Sequence, residues 1–404
     1  HRLANLSPHQ GRHGCRLADS GKVLWRRYIG NDAHGFDPVS IGTEGDALLV
    51  DHQNKEVVRV NAKTGKLVWR QLIKEPITAC TVADDRLLVT TRPGRVINLD
   101  PKTGNSTRMA SLPVPLAVGA LMTDRRPQIY QVGAHSNVYA LDKDSLECSE
   151  VYYIGHKAGT IDVPAIFHLG HLFICENRGS NFSEVHVLST DRKGLKLTKA
   201  GKAIRMKGKV LVPPVIYGRN VLVVTDLGEV KMLKLDSAED GTRSVATMFT
   251  LPPRPQQARI GYPMAFNGQL WLGDDMLTQY KVQLSRSQFS QNWDKFRGDT
   301  FVAPMQRFGN VILLVRQPAG STGVAVSTIV PSSGDTIWET RVAVPGNVRV
   351  GEGGSVEALS AAGDLYRFNQ GVPGGVATPT HSAKLKQAAV SKVVIERPAG
   401  RALV

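Results

Sequence analysis

Val57-Val58-Arg59-Val60-Asn61-Ala62-Lys63-Thr64-Gly65-Lys66-Leu67-Val68-Trp69 and Arg95-Val96-Ile97-Asn98-Leu99-Asp100-Pro101-Lys102-Thr103-Gly104 carry the same pattern. A short run of alternating character meets an Asn or Asp, two residues intervene, and Thr-Gly follows. The Asn or Asp oxygen caps a tight turn, and glycine supplies positive φ. The chain then leaves in the opposite direction, which makes an antiparallel hairpin. Partial copies stand at Val138-Tyr139-Ala140-Leu141-Asp142-Lys143-Asp144-Ser145 and at Val230-Lys231-Met232-Leu233-Lys234-Leu235-Asp236. A later one runs from Thr328 through Ser332-Ser333-Gly334 to Trp338, and a shortened one, Ala18-Asp19-Ser20-Gly21-Lys22-Val23-Leu24-Trp25, opens the chain.

Each later copy follows or carries a second hairpin with its own breakers. Ala47–Val50, Arg86–Val89, Gln128–Val132, Leu172–Cys175, Val221–Val224, Leu270–Leu272, Val311–Val315 and Val356–Leu359 each run into a turn rich in Gly, Asp, Asn or Pro. The Leu172–Cys175 run is expected to turn at Asn177-Arg178-Gly179. The spacing, roughly 35–50 residues, is that of propeller blades. Helical periodicity is nowhere sustained, and Ser285–Phe296 alone suggests a helical turn or two.

The reading is therefore all-β: a β-propeller of about eight four-stranded blades, with seven blades and one degenerate unit as the competing count. The outer strand Lys22–Arg27 is expected to join the hairpin at Leu365-Tyr366-Arg367-Phe368, closing the ring and removing its free edges. Residues 1–16 form an N-terminal segment, 17–369 the propeller, and 370–404 a linker and C-terminal segment. Within the last, Ala383–Val394 reads as a closing strand, a clasp, or the start of a further module. Gly65, Gly104 and Gly334 are the turn glycines. Trp25, Trp69 and Trp338, with Trp271, are expected to dock blade on blade rather than to hold a ligand.

With 42% apolar residues in 404, the chain can bury a substantial core. Its apolar runs are strand-length, and none reaches the 18 or more residues of a membrane-spanning helix. It begins at His1, which reads as a trimmed terminus. Cys15, Cys80, Cys148 and Cys175 show no C-x-x-C spacing, so they read as inert thiols, with a disulfide from Cys15 left open. A net charge of +15 makes anionic partners plausible. The densest basic run is Lys193, Lys196, Lys199, Lys202, Arg205, Lys207 and Lys209, with no acidic residue between them. It reads either as a solvated connection between blades or as a contact surface for a polyanion or partner. Aromatics are not interleaved with it, which weighs against sequence-specific nucleic acid.

Other motifs carry less. His168 and His171 flank Leu169-Gly170 and read as turn histidines, with no further metal ligand close in sequence. Asp274-Asp275 is the nearest thing to a calcium loop and reads as a hairpin turn. Asn5, Asn105 and Asn181 fit the glycosylation acceptor at the frequency chance allows. Neither a Gly-x-Ser-x-Gly elbow nor a Gly-rich phosphate loop is present. No catalytic, cofactor-binding or metal-ligating residue is assigned.

The Asp/Asn-x-x-Thr-Gly-x-x-x-Trp unit, fullest at Asn61–Trp69, resembles the pyrroloquinoline-quinone-like (PQQ-like) repeat of β-propeller proteins, weakest here over 175–220 and 237–310. Quinone-dependent dehydrogenases of that family are longer, with a vicinal cysteine pair and calcium ligands that are not matched here. The non-catalytic, BamB-like branch matches better in length and repeat count, although Cys15 lacks the apolar run that precedes that branch's lipid-anchored cysteine. The resemblance thus implies a non-enzymatic scaffold without cofactor that binds protein or polymer partners in the periplasm or cell envelope. A quinone-dependent enzyme and a polyanion-binding module are the alternatives.

Overall fold

The computed structural model describes residues 46–342, apart from gaps at 62–63, 84–85, 124–126, 136, 156–159, 192, 238–242, 255–258 and 322. Outside that span it describes the backbone of the strands Leu3–Leu6, Arg12–Leu17, Val23–Tyr28, Ser40–Ile41, Gly346–Val350, Val356–Ser360, Asp364–Phe368 and His381–Lys384. The chain divides into two compact units, one holding residues 1–77, 101–105 and 295–404, the other 78–100 and 106–294.

Nine antiparallel sheets follow one another along the described residues. We label them A (3–28), B (40–72), C (77–111), D (121–153), E (166–207), F (215–251), G (262–295), H (300–342) and I (346–384). Sheets B, C, D, F, G and I have four strands, E and H have five, and A has three. Each is a meander, except that in E the last strand and in H the first comes in two pieces, both paired with the same neighbour. The only helical segment among the described residues is the single 3-10 turn Leu284–Arg286. The helical turn or two expected over 285–296 shrinks to this one turn. The strand Gln288–Lys295 takes the rest, and its Phe289 packs on the core between sheets F and G.

The turn chemistry read from the sequence is visible atom by atom. Asn61 Oδ1 accepts the backbone N–H and the hydroxyl of Thr64, each at 3.0 Å, and Gly65 N–H closes on Asn61 O at 2.8 Å with φ +67°. Gly334 repeats this with φ +71°, bonding Val330 O. In sheet D, Asp142 Oδ1 accepts from Asp144, Ser145 and the Ser145 hydroxyl, but Leu146 occupies the glycine position at φ +59°. Left-handed backbone costs a non-glycine residue roughly 1–2 kcal/mol. Leu146 offsets this by burying its side chain between sheets C and D.

A bulge precedes the turn at one repeated place: between Cys15/Arg16, Arg59/Val60, Asn98/Leu99, Ala140/Leu141 and Thr328/Ile329. The residue just before the bulge faces Trp25 in sheet A, Trp69 in B and Trp338 in H, so the three tryptophans hold equivalent register. By the same register, the strands of sheet A match the second, third and fourth strands of the other sheets. The strand at 22–27 therefore does not join the last hairpin as expected. It pairs with Arg12–Leu17, and Asp364–Phe368 takes His381–Lys384 as its outer neighbour. The physical reason is local: Arg12–Leu17 can form the shorter hairpin, at a smaller loop-closure cost than a strand more than 300 residues away.

In the second unit, apolar layers seal successive sheets face to face. Leu88, Tyr139 and Leu141 join C to D, and Tyr130, Leu172 and Ile174 join D to E. Phe173, Met206 and Leu233 join E to F, and Leu222, Leu272 and Tyr280 join F to G. Both faces of a sheet thus carry apolar residues along the middle strands, with buried polar residues such as Gln131, Glu176, His186 and Gln279 among them.

Candidate functional site

Most of the basic run lies on sheet E, and it is not a simple connection. Leu197–Lys199 and Ile204–Lys207 are two pieces of the sheet's outermost strand, both paired with Phe182–Thr190. Lys199 faces Leu188, while Ile204 faces Val185. Three residues of the inner strand are therefore spanned while five pass on the outer one. The surplus pushes out a bulge at 200–203, with Gly201 at φ +103° and Lys202 exposed.

Cross-strand partners share a sheet face. Lys199, Arg205 and Lys207 face Leu188, Glu184 and Phe182, which alternate along one strand, so all three cations stand on one face. Ile204 and Met206 turn to the other face and enter the core between sheets E and F. Lys193, Lys196, Lys199, Lys202, Arg205 and Lys207 are exposed and Lys209 is half-buried. Among the described residues, no carboxylate pairs with the side chains of these seven. The Arg205 guanidinium lies over the Phe182 ring, 4.1 Å from its centroid. Backbone groups hold the outer strand: Lys231 Nζ donates to Arg205 O at 2.5 Å, Lys207 N–H donates to the Glu229 carboxylate, and Asn177 bonds both N–H and C=O of Val210.

Behind these cations, on the same face, lies a charged cluster that reading along the sequence does not single out. Glu176 and Glu184 are direct cross-strand partners, and His186 stands two residues further along that strand. Arg178 Nη2 reaches Glu176 Oε2 at 2.8 Å and Arg178 Nη1 reaches Glu184 Oε2 at 3.2 Å. His186 Nε2 donates to Glu176 Oε2 at 2.8 Å. Burial pushes the Glu176 carboxyl up, but the hydrogen bonds from His186 and Arg178 and the Arg178 charge outweigh it and hold it below its ordinary value. Glu176, Glu184 and His186 offer ligand atoms within 4.8 Å of one another. Arg178 already pairs with both carboxylates, so a guanidinium fills the place a metal cation would take. The acidic groups of this cluster are thus paired with Arg178 and His186.

Asp274-Asp275 turns out to belong to a hydrogen-bonded network centred on Arg254. Arg254, brought in from the loop after sheet F, donates to Asp274 Oδ1 at 3.1 Å, Asp275 Oδ1 at 3.4 Å, Thr278 Oγ1 at 3.1 Å and the Tyr280 hydroxyl at 3.0 Å. Asp274 Oδ1 also accepts the N–H groups of Asp275 and Met276, which is hairpin-turn geometry. A calcium ion here would confront the guanidinium. His168 and His171 are cross-strand partners flanking a two-residue turn, with His171 Nδ1 2.9 Å from Leu169 O.

The remaining residues singled out in the sequence are placed as follows. Trp69 is buried, its Nε1–H donates to Pro101 O at 2.9 Å, and its ring lies against Gly104. Arg59 Nη1 donates to the same carbonyl at 2.5 Å while pairing with Asp46 at 2.9 Å. Trp338 is 2% exposed. Trp271 is buried and stacks on Phe266 with centroids 4.2 Å apart. Side chains of Trp25 and Cys15 lie outside the described residues. Cys175 is buried, Cys80 is half-buried and Cys148 is exposed.

No protein of curated function has a sequence that matches this one. Among solved structures, BamB from Moraxella catarrhalis aligns with TM-score 0.54 and 14% identity, covering 78% of this chain and 92% of that one. The dihydro-heme d1 dehydrogenase NirN aligns with TM-score 0.56 and 10% identity, covering 84% of this chain and 73% of that one. A quinohemoprotein alcohol dehydrogenase from Comamonas testosteroni aligns with TM-score 0.51 and 12% identity, covering 91% of this chain and 69% of that one. At such identities the likeness is one of fold, and the fold serves both enzymes and non-enzymes. Residues 15–145 match the family model described as outer membrane protein assembly factor BamB, and these solved structures agree with a PQQ-like repeat fold.

Proposed function

We propose that this chain is a non-catalytic protein-binding scaffold of a bacterial cell envelope. In this reading its complete sheets, B to I, are eight blades of a propeller. One observation carries the reading: sheets C and D, which pack on one another, expose large apolar side chains on their outermost strands. Met109 is 52% exposed, Val151 53% and Tyr153 48%. A lone exposed apolar residue needs no explanation, but we read apolar residues exposed on the outermost strands of two sheets that pack together as an interaction surface. The BamB family model and the BamB fold likeness agree with an envelope scaffold. No helix among the described residues is long and apolar enough to cross a membrane.

The test is photo-crosslinking in the source organism, with benzoylphenylalanine placed at Met109 or Val151 and, as control, at exposed Lys281. A discrete adduct of one polypeptide from the outer-strand positions, absent from the control, supports the scaffold. Alcohol turnover by the purified protein supplied with pyrroloquinoline quinone and calcium would overturn it.

A further inference from the structure

We propose that the outer edge of sheet E is a docking surface for an acidic segment of a partner protein. The inference rests on the scaffold reading and names the chemistry of one partner contact. Nine cations and no Asp or Glu lie between Arg192 and Thr225. Lys199, Arg205 and Lys207 share one face of the edge strand, and Lys202 stands on the bulge between them. The carboxylates nearest in the fold are engaged elsewhere. Glu176 and Glu184 hold Arg178, and Glu229 accepts the Lys207 backbone N–H and faces Lys231 at 3.8 Å. Uncompensated like charges held side by side repel one another, and an anionic ligand relieves that repulsion.

The shape of the surface selects the ligand. The row follows Phe182–Thr190, nine residues long, hence about 27 Å at strand rise. An extended peptide of eight or nine residues spans that length. Leu195 and Leu211, each 39% exposed, flank the cations at the two ends and give a peptide apolar anchors. Nucleic acid fits poorly: the aromatic ring beside the row, Phe182, has Arg205 over its face, so base stacking is blocked. Main-chain pairing with a partner strand is also disfavoured, because the bulge and the lysines guard the edge. Recognition therefore runs through side-chain charge, and it weakens with salt.

The test uses the full chain and a fluorescein-labelled glutamate decapeptide, followed by fluorescence anisotropy at low and physiological salt. The site variant reverses Lys199, Arg205 and Lys207 to Glu. A matched variant reverses exposed Lys66, Lys281 and Arg286 and changes net charge equally. The site variant is expected to bind at least tenfold more weakly, the matched variant within about twofold of the parent. The neutral variant Lys199→Gln/Arg205→Gln/Lys207→Gln, gentler on folding, is expected to lie between the site variant and the parent. Equal loss in the site and matched variants would overturn the proposal. So would site-dependent binding of oligo-dT or of phosphatidylglycerol vesicles without site-dependent binding of the peptide. A crosslinked partner at Met109 or Val151 together with such a failure would leave the scaffold reading standing and remove this contact.

Discussion

Substituting Gly104 tests how the repeat docks one turn on the tryptophan of the preceding sheet. A Cβ at residue 104 would meet Trp69 Cδ2 at 2.5 Å and Cε3 at 2.6 Å, from a backbone with φ +76°. Two costs add in Gly104→Ala: roughly 1–2 kcal/mol for a left-handed non-glycine residue, and roughly 1–3 kcal/mol for overpacking against a ring that cannot retreat. Retreat would break the indole N–H bond to Pro101 O. Trp69→Ala alone should cost on the order of 3–5 kcal/mol, as large aromatic truncations do. In the Trp69→Ala background the collision disappears, and Gly104→Ala should cost only its backbone strain, roughly 1–2 kcal/mol. The coupling in the double-mutant cycle is therefore about 1–3 kcal/mol. Gly320→Ala is the control, with φ +69° and nothing within 4 Å of the added Cβ. Urea unfolding of the proteins followed by circular dichroism reads the shifts. A coupling under ~0.5 kcal/mol, or equal costs for Gly104→Ala and Gly320→Ala, would refute the reasoning.

Arg254→Met strands the buried Asp274 carboxylate and should cost on the order of 3–5 kcal/mol in the same assay; a loss below that of a surface substitution would refute the network. Burial raises the Asp274 pKa to about 6 despite Arg254. Its folded pKa lies above its unfolded value, so the folded state binds more protons between those values. This group therefore adds stability as pH falls from about 6 towards 4, and Asp274→Asn should flatten that part of the melting-temperature profile. Burial pushes the Cys175 thiol up to about 12, whereas Cys148 is exposed. Iodoacetamide at pH 8 should alkylate Cys148 in the native protein and Cys175 only after unfolding, as peptide mass mapping would show.

The fold was legible because its information is local. Asn61, Thr64 and Gly65 build a turn from five consecutive residues, and that motif recurs with a bulge and a tryptophan at fixed offsets. Leu146 shows where such reading weakens: burial pays for positive φ, so a turn position need not carry glycine. The turn expected at Asn177-Arg178-Gly179 sits further on, because the paired strands extend to Arg178 and Phe182. That displacement is what aligns Glu176 with Glu184 and carries His186 beside them. The signal was available as register, since residues whose numbers sum to 360 face each other across this hairpin. The outer strand of sheet E was read as a possible connection because its bulge breaks the alternation between Lys199 and Ile204. Arg254 and Asp274 are 20 residues apart in different turns, and no periodicity announces their meeting. The expected pairing of 22–27 with the last hairpin gave way because Val23–Tyr28 found a nearer partner.

The measurement that tests the account most directly is native mass spectrometry of the protein isolated from its source, before and after mild denaturation. The account predicts a complex whose excess mass leaves as an intact polypeptide. A bare monomer, or a monomer carrying a quinone-sized mass with calcium, would contradict it.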